Sequence, residues 1–281
     1  MIPPSVELID RLLREDVPYF DLTTTLLGLP EVPARMTFRA RTPVVAAATS
    51  LASGLCERVG CRIEAAAPDG RLVSADEELL AVVGTPAQLH LAWKVTANVL
   101  ESAGGIATRT HQLVSAARAV SDSVEVYATR KVIPGTKELA LAAVLAGGGL
   151  PHRLGLAETV LVFAQHTAFL GGVAGLVERL PKLVERACEK VVLVEVERLD
   201  DALAVAAAGA GGVQFDKVPP AQLADMVAAL RAAAPAVRVI AAGGINATNA
   251  AEYAATGVSG LATSWMYGGA PADIAVTIEP S

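Results

Sequence analysis

From about residue 120 onward, short β-branched runs alternate with helical stretches at nearly even spacing, and this alternation constrains the fold more than any other feature of the chain. The runs cover residues 124–128, 159–163, 191–196, 212–215, 237–241 and 260–263. Between them the pattern predicts helices over 137–146, 181–190, 200–208, 221–233 and 247–255. Strand-then-helix units of this length imply a parallel sheet with helices on its face, and six or seven of them curl toward a barrel. The chain is 53% hydrophobic but only 4% aromatic, so Ala, Val and Leu must fill the core. That suits strands buried on both faces and small-residue helices.

The first part of the chain reads differently. SVELIDRLLRED (5–16) predicts an amphipathic helix, and ARMTFRARTPVVAAA (34–48) alternates as a strand does. Residues 51–59 predict a helix and 78–83 a strand. A long helix follows over 86–102, which the pair Gly104–Gly105 is expected to stop or bend before it resumes over 106–119. A chain of 281 residues has room for a barrel and a small companion domain.

Net charge is −6, which argues against nucleic acid as a partner and makes local basic clusters informative. Three cysteines, none in a CxxC pair, give no disulfide framework or zinc site and suit a reducing cytoplasm. The acidic N-terminus lacks the apolar centre of a signal peptide, and no apolar run nears the ~20 residues that span a bilayer.

In a parallel barrel, chemistry sits where strands end at their C-terminal side. Thr129, Arg130 and Lys131 follow the first run, and His166 follows the second by a few residues. Glu195 and Glu197 end the third, with alternation turning Glu197 outward. Asp216 and Lys217 end the fourth, Gly243 and Gly244 the fifth, and Ser264 the sixth. Arg and Lys supply charge and N–H donors for phosphates or carboxylates. The glycine pair lets backbone N–H groups approach a phosphate, with Asn246 or Thr248 as the expected cap of the next helix. Glu195 and Asp216 suit Mg²⁺, ribose hydroxyls or a developing cation. His90 and His111 lie on long helices and read as structural.

With those residues in place, the segment ATRKVIPGTKELALAAVLAGGGLPHRLGL (128–156) resembles the central signature of the quinolinate phosphoribosyltransferases, or nicotinate-nucleotide pyrophosphorylases. EDVPYFDLTT, NVLESAGGIATRT, VEVERLDDALAVAAAGAGGVQFD and AAGGINATNAAEYAATGV are similar to further elements of that family, so the likeness spans the chain. It implies an α/β fold with an N-terminal α/β sandwich (1–108, with a tail over 273–281 packing on it) and an incomplete, six- to seven-stranded α/β barrel (109–272) of the type II phosphoribosyltransferase kind. It also implies a homodimer or dimer-based oligomer, small-molecule substrates, and Mg²⁺ with phosphoribosyl pyrophosphate but no organic cofactor. By position, Lys131, Glu195 and Asp216 take catalytic roles, with Glu195 and Asp216 toward the metal. Lys94, Thr129, Arg130, His152, Arg153, His166, Ala242, Gly243, Gly244, Thr263, Ser264 and Trp265 take substrate-binding ones.

The departures are informative. Lys94 stands where the family has Arg, and Phe163–Ala164 where it has Lys-Asp. Ala242 replaces a Ser, and Gly268 stands at the place of a late His. LVFAQH with a following FLGG is similar to the ModD branch, which is linked to molybdenum-utilisation gene clusters. The leading expectation is a pentosyltransferase that uses phosphoribosyl pyrophosphate with an altered acceptor pocket. An authentic carboxylating quinolinate phosphoribosyltransferase of NAD biosynthesis and a non-catalytic binder of a phosphometabolite or molybdate remain alternatives.

Overall fold

The computed structural model describes residues 3–281. In chain order its elements are α1 (Val6–Asp16), α2 (Leu22–Leu27), β1 (Ala34–Ala40), β2 (Val44–Val45), α3 (Thr49–Arg58), β3 (Arg62–Ala66), β4 (Leu72–Val73), β5 (Glu78–Gly84) and α4 (Pro86–Arg118). There follow β6 (Glu125–Ala128), α5 (Lys137–Ala146), β7 (Leu150–Pro151), β8 (Val160–Val162), α6 (Ala164–Thr167), α7 (Gly172–Ala187), β9 (Val192–Val196), α8 (Leu199–Ala207) and β10 (Gly212–Asp216). The chain ends with α9 (Pro220–Ala233), β11 (Arg238–Ala242), α10 (Ala250–Ala255), β12 (Gly260–Thr263), a 3₁₀ turn (Trp265–Tyr267) and β13 (Ile274–Pro280).

Two compact units result. One takes in the chain up to His111 together with Val132–Gly148 and Tyr267–Ser281, and the other takes in Gln112–Lys131 and Gly149–Met266. In the first, an antiparallel sheet runs β13-β1-β5-β3. Its β1 places Met36, Phe38 and Ala40 in a core shared with Leu80, Val82, Leu89 and Leu100. The last strand, β13, pairs along the whole of β1, from Ala34 opposite Pro280 to Ala40 opposite Ile274. No helix among the described residues is long and apolar enough to cross a membrane.

The glycine pair does not interrupt the long helix as the sequence pattern suggests, because α4 is continuous through it. A Cβ on Gly104 would lie 2.9 Å from Val44, and one on Gly105 would lie 2.6 Å from the Ala270 carbonyl and 3.1 Å from Pro271 Cα. The glycines serve close approach by the 270–272 segment, whose Ala272 N–H donates to the Glu101 carbonyl at 2.8 Å. Gly105→Ala should therefore lower stability by about 1–3 kcal/mol, even though alanine is the better helix former by roughly 1 kcal/mol. Equilibrium urea unfolding reads the sign, and a stabilised variant would contradict this packing.

The second unit is a seven-stranded parallel sheet, ordered β7-β6-β12-β11-β10-β9-β8. Its edge strands, β7 and β8, are neighbours in sequence but lie at opposite edges of the sheet. Two local expectations shift here. The helix expected from Pro181 begins at Gly172, and Pro181 sits inside it. Leu176 and Leu180 form a buried i, i+4 stripe, and Pro181 lies on the exposed face, where it removes one helical hydrogen bond, that to the Val177 carbonyl. The N-cap position of the last helix falls at Asn249 rather than Asn246 or Thr248, and its side-chain oxygen accepts the Asn246 N–H instead of capping the helix. The Asn246 carboxamide oxygen is already taken by the Thr248 N–H and hydroxyl in a local turn.

Candidate functional site

The strand ends of the second unit line a cavity of about 520 Å³. Thr129, Arg130, Lys131, His152, Arg153, Glu195, Asp216, Ala242, Gly243, Gly244, Thr263 and Ser264 all line it, as does Lys217. Leu161, Leu193, Ile240 and Ala262 belong to an apolar cluster within the sheet, and Leu161 and Leu193 sit one layer below Glu195 and Gln214.

The sheet positions this rim by extending its ladder one bond past several strands. The His152 N–H donates to the Ala128 carbonyl at 2.9 Å, Thr129 to Thr263 at 2.9 Å, and Lys217 to Ala242 at 2.7 Å. Residues just beyond a strand, which would otherwise be loosely held, thus take fixed backbone positions. Alternation along β10 sends Val213 and Phe215 into the core and Gln214 and Asp216 to the cavity side.

The rim carries opposed charges. Arg130, Lys131, His152 and Arg153 come from the ends of β6 and β7, and Glu195 and Asp216 from β9 and β10. Lys217 Nζ pairs with Asp216 Oδ2 at 3.2 Å. The Gln214 amide nitrogen donates to Glu195 Oε2 at 2.6 Å. Burial pushes the Glu195 carboxyl above its ordinary value; the Gln214 hydrogen bond opposes this, Asp216 reinforces it, and Lys131 and Lys217 oppose it. Burial and then Arg153 hold the His152 ring below its ordinary value, with Gln214 acting in the other direction. A half-buried carboxylate and an imidazole whose protonated form is disfavoured, both on the cavity lining, suit a ligand that brings both positive and negative charge.

The glycine turn is unusually constrained. Gly243 and Gly244 have φ of 88° and 72°. The Thr263 hydroxyl donates to the Ile245 carbonyl at 2.7 Å and accepts the Trp265 N–H at 3.1 Å, so it clips this turn to the end of β12. Side-chain amides of Asn246 and Asn249 both donate to the Gly244 carbonyl, at 3.3 and 3.2 Å.

Three residues expected at the site are not among those that line the cavity. Lys94 is exposed on α4 in the first unit and does not line the cavity. Trp265 opens the 3₁₀ turn after Ser264 and does not line it either. His166 is exposed, accepts the Phe163 N–H at Nδ1 (3.0 Å), and stacks on the Phe163 ring at 6.0 Å between centroids. Phe163 itself lines the cavity, with the Arg153 guanidinium 5.9 Å over its ring. Gln214 and Gln165 line the cavity without having been singled out from the sequence. For Gln214 a signal existed: it is a lone polar residue in an apolar run, two positions before Asp216 and so on the same face.

Comparison with known proteins bears on this arrangement. Residues 21–103 match the N-terminal domain, and residues 106–277 the C-terminal domain, of the family described as quinolinate phosphoribosyl transferase. A Rhodobacter capsulatus protein that carries the name pyrophosphorylase ModD is 43% identical over 85% of this chain and 92% of its own length. The human nicotinate-nucleotide pyrophosphorylase [carboxylating] is 29% identical over 97% of this chain and 91% of its own. The solved nicotinate-nucleotide pyrophosphorylase from Francisella tularensis superposes with a TM-score of 0.87 at 24% identity, covering 98% of both chains.

Proposed function

Because the chain belongs to the quinolinate phosphoribosyl transferase family, we propose that it moves the phosphoribosyl group of phosphoribosyl pyrophosphate onto a ring nitrogen of a heteroaromatic acceptor less acidic than quinolinate. The observation that carries the acceptor half of this reading is Phe163. An aromatic ring, with Arg153 drawn over it, lines the cavity where the resembled family has a lysine.

The acceptor nitrogen attacks the anomeric carbon as the bond to the diphosphate oxygen breaks, and diphosphate leaves. Positive charge grows on the ribose ring in the process. Glu195 and Asp216 stand ready to balance it, because carboxylates already fixed beside the reacting centre need little reorganisation. Arg130, Lys131 and Lys217 supply N–H donors for the departing diphosphate. The Gly243–Gly244 turn and Ser264 offer backbone and hydroxyl donors to the 5′-phosphate. His152, with Arg153 over the Phe163 ring, receives the acceptor.

Glu195 and Asp216 also suit Mg²⁺ entering with the diphosphate. Gln214 takes one oxygen of Glu195 and Lys217 one of Asp216, which leaves each carboxylate a second oxygen for a hard cation. No cluster of three or more His, Cys, Asp or Glu residues arranged to hold a metal occurs among the described residues, so substrate oxygens would complete the shell. Bound there, Mg²⁺ would neutralise charge on the leaving group. We further read the enzyme as a homodimer; the exposed apolar side chains of Tyr19, Phe20, Leu26 and Leu27 support a protein–protein contact.

The test is pyrophosphate release from phosphoribosyl pyrophosphate and Mg²⁺ with quinolinate, nicotinate and a panel of neutral azoles and pyridines. Quinolinate is expected to be a poor acceptor, because each lost charged hydrogen bond weakens its binding by about 1.5–3 kcal/mol. Robust turnover of quinolinate would overturn the altered-acceptor reading. Tight calorimetric binding without release from any acceptor would replace catalysis by a binding role.

A further inference from the structure

Gln214 Oε1 is buried and has no hydrogen bond, unlike the other buried side-chain polar atoms of the described residues. The residue is 4% exposed and sits in the sheet beside Glu195 on β9 and Ile240 on β11. One layer below it lie Leu161 and Leu193. A leucine or methionine would fill this position and leave no unpaired atom. A buried carboxamide with one unsatisfied end is unfavourable unless both ends have work to do.

The nitrogen end has a partner, Glu195 Oε2, at 2.6 Å. The oxygen end is unpaired; Gln214 and His152 line the same cavity, and Gln214 favours a proton on the His152 ring. His152 is held on its other side: its backbone N–H is tied to Ala128, and the Tyr127 ring meets its edge at 6.0 Å and 82°. The charged groups around the pair are Arg153 beside His152, and Asp216, Lys131 and Lys217 beside Glu195. Gln214 is thus the side chain placed between the basic and the acidic sides of the cavity.

We propose that Gln214 is a positioning residue that bridges the two sides, its amide nitrogen fixing the Glu195 carboxylate and its carbonyl oxygen, unpaired in this structure, taking up the His152 ring N–H in solution. The bridge makes the orientation of Glu195 depend on the ring that meets the acceptor. Its catalytic consequence rests on the ribose-side role proposed for Glu195, but the bridge itself does not.

The experiment uses the full chain labelled with ¹⁵N-histidine, which carries four histidines. The His152 signal is assigned by its loss in His152→Ala, and spectra are recorded with and without phosphoribosyl pyrophosphate and Mg²⁺. A slowly exchanging His152 ring N–H is expected in the wild type and should vanish in Gln214→Met. In turnover, Gln214→Met should lower kcat on the order of tenfold, as loss of one hydrogen bond to a charged group does. KM for phosphoribosyl pyrophosphate should stay near wild type. In a His152→Ala background the same substitution should cost less than in the wild type, because one half of the bridge is already broken and only the Glu195 bond is left to lose. A wild-type His152 N–H that exchanges freely, one that persists in Gln214→Met, or penalties that add would each overturn the bridge. The spectra need no acceptor, so a failure of the transferase reading leaves this test standing and distinguishable.

Discussion

Replacing Glu195 with alanine should lower kcat by on the order of 10²–10³-fold, the usual effect of deleting one fixed charge or donor aimed at the reacting centre. The geometry makes the loss hard to repair. Asp216 is the other carboxylate on this side of the cavity, and Lys217 already pairs with it. Stability should change little. Burial already disfavours the charged form of Glu195, so removing the side chain relieves some desolvation. The Gln214 amide nitrogen it leaves behind loses its one partner, and the space vacated by the Glu195 side chain opens it to the cavity. Steady-state pyrophosphate release beside a thermal unfolding scan separates the two effects. A near-wild-type rate, or a collapsed fold with activity lost only through unfolding, would remove Glu195 from the reacting centre.

Gly243→Ala should be the more damaging of two neighbouring glycine substitutions, destabilising by about 2–4 kcal/mol, whereas Gly244→Ala should cost nearer 1 kcal/mol. Both residues have positive φ, so both variants suffer the left-handed penalty. Their surroundings differ. A Cβ on Gly243 would lie 2.7 Å from Asp216 Oδ1 and 2.8 Å from the Lys217 backbone nitrogen, whereas one on Gly244 meets nothing within 4 Å. The Lys217 nitrogen has little freedom to retreat, because it donates to the Ala242 carbonyl at 2.7 Å and its own φ is 58°. Displacing it moves Asp216 as well, so Gly243→Ala should also weaken calorimetric binding of phosphoribosyl pyrophosphate. Equal unfolding midpoints for the two variants would show that the turn is free to relax.

These two expectations share a physical root. The rim is built from the first residues past each strand, and several are fixed by one extra ladder bond across the sheet. Charge is arranged by strand, with basic groups past β6 and β7 and acidic ones on β9 and β10. A substrate that carries phosphates at one end and develops positive charge near its centre matches that division.

The alternation of β-branched runs and helices was enough to place the parallel strands of the second unit to within about a residue or two, because burial on both faces imprints itself on each strand locally. The same pattern located Thr129–Lys131, Glu195, Asp216 and Gly243–Gly244, since a strand's end is a local feature and the barrel rim follows from it. Other features lay beyond local reading. Strand β7 is two residues long, too short to show a period, and exists because Tyr127 and Ala128 of β6 pair with it. Gly104–Gly105 carries the signature of a helix stop, yet the helix continues because the 270–272 segment, remote in sequence, needs the space. Gln214 reads as one polar residue in an apolar strand; only the register of β9 against β10 sets it beside Glu195, and only the closeness of β7's end to the same cavity puts His152 on that cavity's lining. Local periodicity therefore determined which residues end strands and carry charge, while cross-strand register and close backbone approach, both set by contacts distant in sequence, decided which of them act on one another.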